Sequence, residues 1–589
     1  MKRFSLFLFA LSAALAGGSN YRNFDVAVYC RVYEVREMKD PAWLESRWSA
    51  ISKNVKVDKV YLETHRDMIV AEQATIDQAK KFFADRSVKV AGGITATVNE
   101  ANLFETFCYT NPAHRQKLKE VVEFTAKNFD EIIFDDFFFT SCKCDRCIRA
   151  KGNKSWTEFR LGLMDEAARD LVIQPARAVN PNVKITIKYP NWYDHFQYLG
   201  FDLEKEPKLF DKIYTGTETR DAVYSNQHLQ PYHGYSIFRY FDNIKPGGNA
   251  GGWVDTGGMR NLDRYAEQLW LTLFAKAPEI TLFDIRQIYQ PVRAEDGTQA
   301  PDSEVTRLAG YTFNQVDGFI GKLGKPVGVK NYKPYNSSGD DFLPSYLGML
   351  GIPMDIVPEF PTEAKTVLLT EDAKYDPAIV AKIKGQLRAG KNVVITSGLL
   401  KALQGKGIED IVELEYTGKT VASRDFFGWG LYARADSEIL LPEIRYATND
   451  AWELVSALTS PSRTAGTPLL LQAKYSNGVL YVLTIPQSVG DLYSLPPEAV
   501  KAIGDVLARD MYVRVEGPGR LSLFVYDNDK FIVESFQESF SPVRIVTDKR
   551  IARLRDMLSG QPLAGTARGD KMVFDTFLRP GSYRVFAAE

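Results

Sequence analysis

Between residue 25 and about 290, short β-branched and aromatic runs alternate with stretches whose apolar residues recur every three to four positions. The runs begin with Asp25-Val26-Ala27-Val28-Tyr29, Lys59-Val60-Tyr61-Leu62-Glu63, Val88-Lys89-Val90-Ala91-Gly92 and Glu131-Ile132-Ile133-Phe134. They continue with Val183-Lys184-Ile185-Thr186-Ile187, Lys212-Ile213-Tyr214-Thr215, Tyr235-Ser236-Ile237-Phe238 and Glu279-Ile280-Thr281-Leu282-Phe283. Helical periodicity follows most of them, as over residues 115–128 and 262–276. Eight such units in under 300 residues predict an α/β chain that opens with a (β/α)8 TIM barrel. A doubly wound sheet competes, but no glycine-rich phosphate loop follows the first run.

The pattern restarts near Lys325-Pro326. Strands are predicted at Val327-Gly328-Val329, Met354-Asp355-Ile356-Val357, Thr366-Val367-Leu368-Leu369, Asn392-Val393-Val394-Ile395-Thr396 and residues 478–483. Helices are predicted over residues 342–347 and 497–509. Beyond Tyr512 short strands follow turns such as Gly517-Pro518-Gly519 and Asp527-Asn528-Asp529, the pattern of a small β-sandwich. The expected division is a barrel over 19–324, an α/β domain over 325–510 and a β-sandwich over 511–589.

Residues 1–18 read as a signal peptide. Lys2 and Arg3 supply its charge, residues 4–15 its apolar core and Ala14-Leu15-Ala16 its small-residue cleavage site. No lipobox cysteine follows, so a soluble periplasmic or secreted protein is expected, not an integral membrane protein. The formal net charge of -1 leaves no basic excess to neutralise phosphates and argues against nucleic-acid binding. The 12% aromatic share suits a carbohydrate partner, although most aromatic residues are expected in cores.

Cys142, Cys144 and Cys147 form C-x-C-x-x-C just after the fourth run, and Cys108 stands alone upstream. Thiolates at this spacing suit tetrahedral zinc. Export leaves a disulfide from Cys108 to one of the three as the alternative, at the cost of stranding two thiols. Cys30, inside the first run, reads as a buried hydrophobe.

In a (β/α)8 barrel reactive groups stand at the C-terminal strand ends. Carboxylates dominate there, whereas the whole chain has five histidines. That disfavours a histidine-rich catalytic zinc site and a Ser-His-Asp triad. Two carboxyl groups across a barrel mouth are what glycoside hydrolysis requires. Asp135 and Asp136 end the fourth run, with Asp136 favoured as the reactive residue. Glu218, after the Thr/Gly-rich end of the sixth run, is the expected partner, and Asp242 the alternative. Glu63, Lys188, Tyr189, Trp192, Arg239 and Asp242 are expected to line the substrate site.

The cysteine arrangement, with Asn111-Pro112-Ala113-His114-Arg115 after Cys108, resembles that of glycoside hydrolase family 42 β-galactosidases. In that family a lone cysteine after strand 3 and C-x-C-x-x-C after strand 4 hold a structural zinc. The resemblance therefore implies zinc on Cys108, Cys142, Cys144 and Cys147. It also implies a barrel, an α/β domain similar to a glutamine-amidotransferase fold that can mediate oligomerisation, and a small β-domain. The family's Asn-Glu acid/base signature is replaced here by Asp135-Asp136, and its strand 7 glutamate has no glutamate counterpart. Phe134-Asp135-Asp136-Phe137-Phe138 instead resembles a strand of bacterial glycoside-hydrolase-like barrels. An acid on strand 4 paired with one on strand 6 is similar to the α-galactosidase-type clans, which would make Asp136 the nucleophile and Glu218 the acid/base.

The sequence thus leads to an exported glycoside hydrolase acting on an oligo- or polysaccharide. A non-catalytic carbohydrate-binding or scaffold protein on a degenerate barrel is the alternative. A polysaccharide lyase using Lys188, Tyr189 and Arg239 is a third reading.

Overall fold

The computed structural model describes residues 21–289, 304–340, 342–428, 431–446, 454–460 and 467–589. The leader expected over 1–18 lies outside the described residues. Eight parallel strands form the first sheet: β1 (Asp25–Cys30), β2 (Lys59–Arg66), β3 (Lys89–Ile94), β4 (Glu131–Phe134), β5 (Lys184–Tyr189), β6 (Lys212–Gly216), β7 (Asn249–Val254) and β8 (Glu279–Phe283). They pair in chain order, and β1 pairs with both β2 and β8, so the sheet closes into a barrel.

Alternate residues of each strand point inward and stack in layers. At the N-terminal end Lys59 Nζ bridges Glu131 and Glu279, at 2.7 Å from each. The middle layer is aromatic and apolar: Tyr29, Tyr61, Ile133, Tyr214 and Trp253. Continuing the same alternation, the C-terminal layer receives Glu63, Asp135 and Lys188. The crossover helices begin with local signals. Asn111 caps Pro112–Asn128 by accepting from Ala113 N at 3.0 Å, with proline in the first turn. Ser155 and Glu158 form a capping box on Trp156–Ala167.

The seventh strand departs from the sequence expectation. Tyr235-Ser236-Ile237-Phe238 lies within the helix His233–Ile244, and β7 comes later, in Asn249-Ala250-Gly251-Gly252-Trp253-Val254. Residues 233–241 of that helix are all buried, between the barrel and the two later domains, and its Tyr-Ser-Ile-Phe segment has the composition of a strand. Close packing demands the glycines of β7. A Cβ at Gly251 would meet Glu279 O and the Tyr214 ring at 2.5 Å, and one at Gly252 would meet Thr272 Cγ2 at 2.3 Å.

The second sheet has five parallel strands, ordered 354–357, 329–332, 366–369, 392–396 and 478–483. It then continues into four antiparallel strands over 467–475, 454–460, 415–428 and 431–445, which the sequence reading did not anticipate. The last domain packs a six-stranded sheet against a four-stranded one. The strand expected at 327–329 is divided: Pro326–Val327 joins the sandwich beside Tyr526 and Val525, and Val329–Tyr332 enters the α/β sheet. Aromatic packing ties the units together, with Tyr232 of the barrel stacked on Phe524 of the sandwich, ring centroids 5.4 Å apart. Lys333, after the first α/β strand, is buried between Asp194 of the barrel and Asp372, at 2.9 Å from each.

Replacing Gly251 with alanine is expected to destabilise the protein by about 3 kcal/mol, the upper part of the range for overpacking a core. Gly318→Ala, on a helix position with no neighbour within 4 Å, is expected to be neutral or stabilising. Denaturation followed by tryptophan fluorescence checks both, and equal midpoints for the two variants would contradict the packing account.

Candidate active site and cysteine cluster

The C-terminal ends of β4, β5 and β6 converge on one ammonium. Lys188 Nζ lies 2.6 Å from Asp136 Oδ2, 3.3 Å from Asp135 Oδ1 and 3.5 Å from Glu218 Oε1. It sits over the Trp253 ring, 4.5 Å from the centroid, so the middle aromatic layer forms the floor beneath it. Its side chain is 3% exposed, against 15% for Asp136 and 5% for Glu218, which makes Asp136 the most accessible member.

Asp135 is an internal strut. Arg66 Nη2 donates to its Oδ2 at 2.8 Å, and its Oδ1 accepts the Asp136 backbone N–H at 2.9 Å. Arg66 also pairs with Glu63 at 2.9 Å and Glu100 at 3.0 Å. Glu63 accepts from the Tyr29 hydroxyl at 2.8 Å, from Val32 N at 2.6 Å and from Thr95. On the other side Arg220 forks onto Asp255 at 2.7 and 2.9 Å. Asn191 Nδ2 donates to Glu218 O at 2.7 Å and fixes the backbone that carries the acid. A Cβ at Gly216 would lie 2.9 Å from Glu218 Oε2, so glycine at the end of β6 leaves room for that carboxyl. Among the described residues Glu218 Oε2 is buried without a hydrogen-bond partner.

These surroundings separate the carboxyl groups. Burial drives Glu218 up to about 7, against the pull of Lys188 and Arg220. Burial also raises Asp136 to about 6, with Lys188 opposing and Asp135 adding to the rise. Asp135 is equally buried, but Lys188 and Arg66 outweigh desolvation and hold it below the usual carboxylate range. Asp255 is likewise kept low, because Arg220 overcomes its burial. Lys188 is raised, since Asp136, Glu218 and Asp135 together outweigh the cost of burying its charge.

Five residues expected at the mouth therefore meet there: Asp135, Asp136, Lys188, Glu218 and, through Arg66, Glu63. Three do not. Tyr189 points out of the barrel, donates to Glu206 at 3.1 Å and stacks on Phe241 at 4.8 Å. Arg239 and Asp242 pair with each other at 2.5 Å on the helix after β6, where Arg239 also faces Asp355 of the α/β domain at 3.6 Å. Asp242 is thus not placed to partner Asp136. Trp192 is half-buried against Phe139 and Phe201, with centroids 5.8 and 6.0 Å away. Arg66 and Asp255 received no role from the sequence, although each is a charge at a strand end, the signal that could have found them. Arg220, expected beside Glu218, pairs with Asp255.

Beside this mouth the four cysteines gather as expected. Their sulfurs all lie within 4.8 Å of one another, and all are free thiols. Cys108 is 3.8 Å from Cys144 and 3.6 Å from Cys147, and Cys144 is 3.8 Å from Cys147. A tetrahedral zinc with Zn–S bonds of about 2.3 Å has edges of about 3.8 Å, so the donor set fits that ion. Thr110 Oγ1 stands 3.2 Å from both Cys108 and Cys147 and can orient them. Cys30 is buried in the core, as expected.

Comparison with known proteins agrees with this architecture. Residues 14–322 match the model of a probable glycosyl hydrolase catalytic domain, and 512–588 that of a probable glycosyl hydrolase C-terminal domain. Residues 324–488 match the second domain of uncharacterized protein SSO3021. The chain is 26% identical over 547 residues to that Saccharolobus solfataricus protein, covering 84% of this chain and 87% of the other. Similar solved structures include a β-galactosidase from Bacillus circulans sp. alkalophilus, at TM-score 0.63 and 11% identity over 97% of this chain and 100% of that one. A variant of Gan42B, a GH42 β-galactosidase from G. stearothermophilus, gives 0.64 and 11%, and covers 97% of this chain. An exo-β-1,4-mannosidase from an Opitutaceae bacterium gives 0.51 and 10%, over 84% of this chain and 96% of that one. These likenesses concern the fold. Because the catalytic-domain model spans more than half of its length, the chain belongs to the probable glycosyl hydrolase family.

Proposed function

We propose that the chain hydrolyses glycosidic bonds in a neutral oligo- or polysaccharide, with Asp136 as nucleophile and Glu218 as general acid/base. The observation that carries this reading is Lys188 holding the strand 4 and strand 6 acids at once. Its contacts of 2.6 and 3.5 Å put one oxygen of each acid within about 6 Å of the other. That bound admits the roughly 5–5.5 Å separation that a retaining pair of carboxyl groups requires.

Glu218 is pushed up to about 7 and so holds its proton in neutral solution until a leaving oxygen needs it. Asp136, more exposed and paired with Lys188, attacks the anomeric carbon as the glycosidic C–O bond breaks and Glu218 protonates the leaving oxygen. Glu218, now a carboxylate, then takes a proton from water, and the water oxygen displaces Asp136. Asp135 stays ionised between Arg66 and Lys188 and presents a fixed negative charge to the oxocarbenium-like transition state. Carboxylates outnumber cations around the mouth, Glu63, Asp135, Asp136, Glu218 and Asp255 against Arg66, Lys188 and Arg220. This balance disfavours an acidic sugar and hence the lyase reading.

The reading extends to an export signal at residues 1–18, a periplasmic or secreted location and self-association through the α/β domain. It also takes the cysteine cluster as a structural zinc site, since four thiolates leave no coordination position for substrate or water.

Against a panel of neutral aryl glycosides and oligosaccharides, Asp136→Asn and Glu218→Gln are each expected to lower kcat/KM by at least ~10²-fold, within the ~10²–10⁴ range of acid–base catalysis. Full activity in either variant would remove that residue from its role. The wild-type pH profile is expected to be bell-shaped. Activity falls below about 6 as Asp136 takes up a proton, and above about 7 as Glu218 loses its own. Glu218→Gln should abolish the alkaline limb in whatever activity remains. Elemental analysis is expected to find one zinc per chain, and Cys144→Ser or strong chelators should lower the melting temperature. A metal-free protein with an unaltered melt would contradict the zinc assignment.

A further inference from the structure

A cavity opens on the C-terminal face of the barrel, between the elements that follow β1 and β8. It encloses about 340 Å³, at the lower end of the roughly 300–1,000 Å³ typical of small-molecule sites. Its aromatic lining is Tyr33, Trp43 and Tyr289, and its charged lining sets Glu34 and Glu37 against Arg47 and Arg286.

The lining is held in place. The Tyr33 hydroxyl donates to Asp67 Oδ2 at 2.5 Å, and the Arg31 guanidinium lies 5.2 Å from its ring. Trp43 and Arg47 are one turn apart on the helix Pro41–Ser52. The Arg47 guanidinium stands 4.0 Å from the Tyr289 ring and 5.8 Å from Trp43. Glu34, only 6% exposed, pairs with Arg31 at 2.8 Å and faces Arg286 at 3.6 Å. Such rings and forks lose little freedom on binding.

A chain of polar contacts links the cavity wall to the mouth. Val32, next to Tyr33, donates its N–H to Glu63, which pairs with Arg66, which in turn grips Asp135. We propose that this cavity is a remote glycosyl subsite, binding a neutral sugar unit of the same glycan whose scissile bond lies at Asp136 and Glu218. The proposal rests on the glycosidase reading above. Equal numbers of carboxylates and guanidinium groups give no preference for an anion or a cation. Fixed aromatic faces suit the C–H face of a pyranose, and the charged forks suit its hydroxyl pairs. Binding energy gained so far from the reacting bond can be spent at the transition state, so the subsite would favour longer substrates.

The test compares wild type, Trp43→Ala and Arg47→Met on an aryl monoglycoside and on neutral oligosaccharides of increasing length with the same terminal sugar. In each variant the ratio of kcat/KM for the longest oligosaccharide to that for the aryl glycoside is expected to fall about tenfold, the worth of one aromatic contact. Unaltered ratios in both variants would overturn the subsite while leaving the glycosidase reading intact. Should wild type hydrolyse none of these compounds, that reading fails, and calorimetric titration with the same oligosaccharides decides the subsite alone. Binding by wild type that is lost in both variants, with melting temperatures retained, upholds it; absent or unaffected binding overturns it.

Discussion

The buried ammonium of Lys188 is the constraint around which the mouth is built. An unpaired charge at 3% side-chain exposure would cost several kcal/mol, so the fold must supply partners. It supplies three carboxylates from the ends of two neighbouring strands, more than one ammonium can neutralise. Arg66 takes part of the load by binding Asp135, which leaves Asp136 and Glu218 to share what remains. Their surroundings then resolve the conflict: Asp135 stays ionised, while Asp136 and Glu218 rise to about 6 and 7. The burial that seats Lys188 on Trp253 thus also raises the two acids that the proposed chemistry uses, while Asp135 stays charged.

That seat depends on backbone positions distant from any reacting atom. Trp253 reaches the barrel axis from β7, whose preceding glycines allow Tyr214, Glu279 and Thr272 to approach too closely for any side chain. Gly216 does the same service for the Glu218 carboxyl. Small residues at the strand ends thus decide where the large and charged ones can stand, and a barrel sharing all eight strands need not share its mouth.

β-branched and aromatic runs made seven of the eight strands readable, and with them the strand ends that carry Glu63, Asp135 and Lys188. Helix His233–Ile244 was misread because its Tyr-Ser-Ile-Phe segment carries the composition of a strand and lies in a buried stretch. Misplacing β7 there moved Arg239 and Asp242 to the mouth on paper, whereas they face each other and Arg239 faces Asp355. The cysteine cluster needed no such long-range knowledge, since three of its members lie within one turn and its entry loop. Partnerships such as Arg66 with Asp135 were beyond the sequence, because they depend on the relative register of β2 and β4, which do not touch.

The likeness to family 42 β-galactosidases and the divergence from their signature have one physical origin. Core layers and domain packing are bound by volume, and they persist when few identities remain. Residues at the C-terminal rim contribute little to that core, so they can change as a set. Aspartate is one methylene shorter than glutamate and lies nearer its own strand. The proposed mechanism gives the acid/base role to Glu218 on the strand 6 side, with Lys188 between it and Asp136. On that proposal the reacting bond lies across β4 to β6, and the cavity beside the ends of β1 and β8 is placed to bind the rest of the glycan.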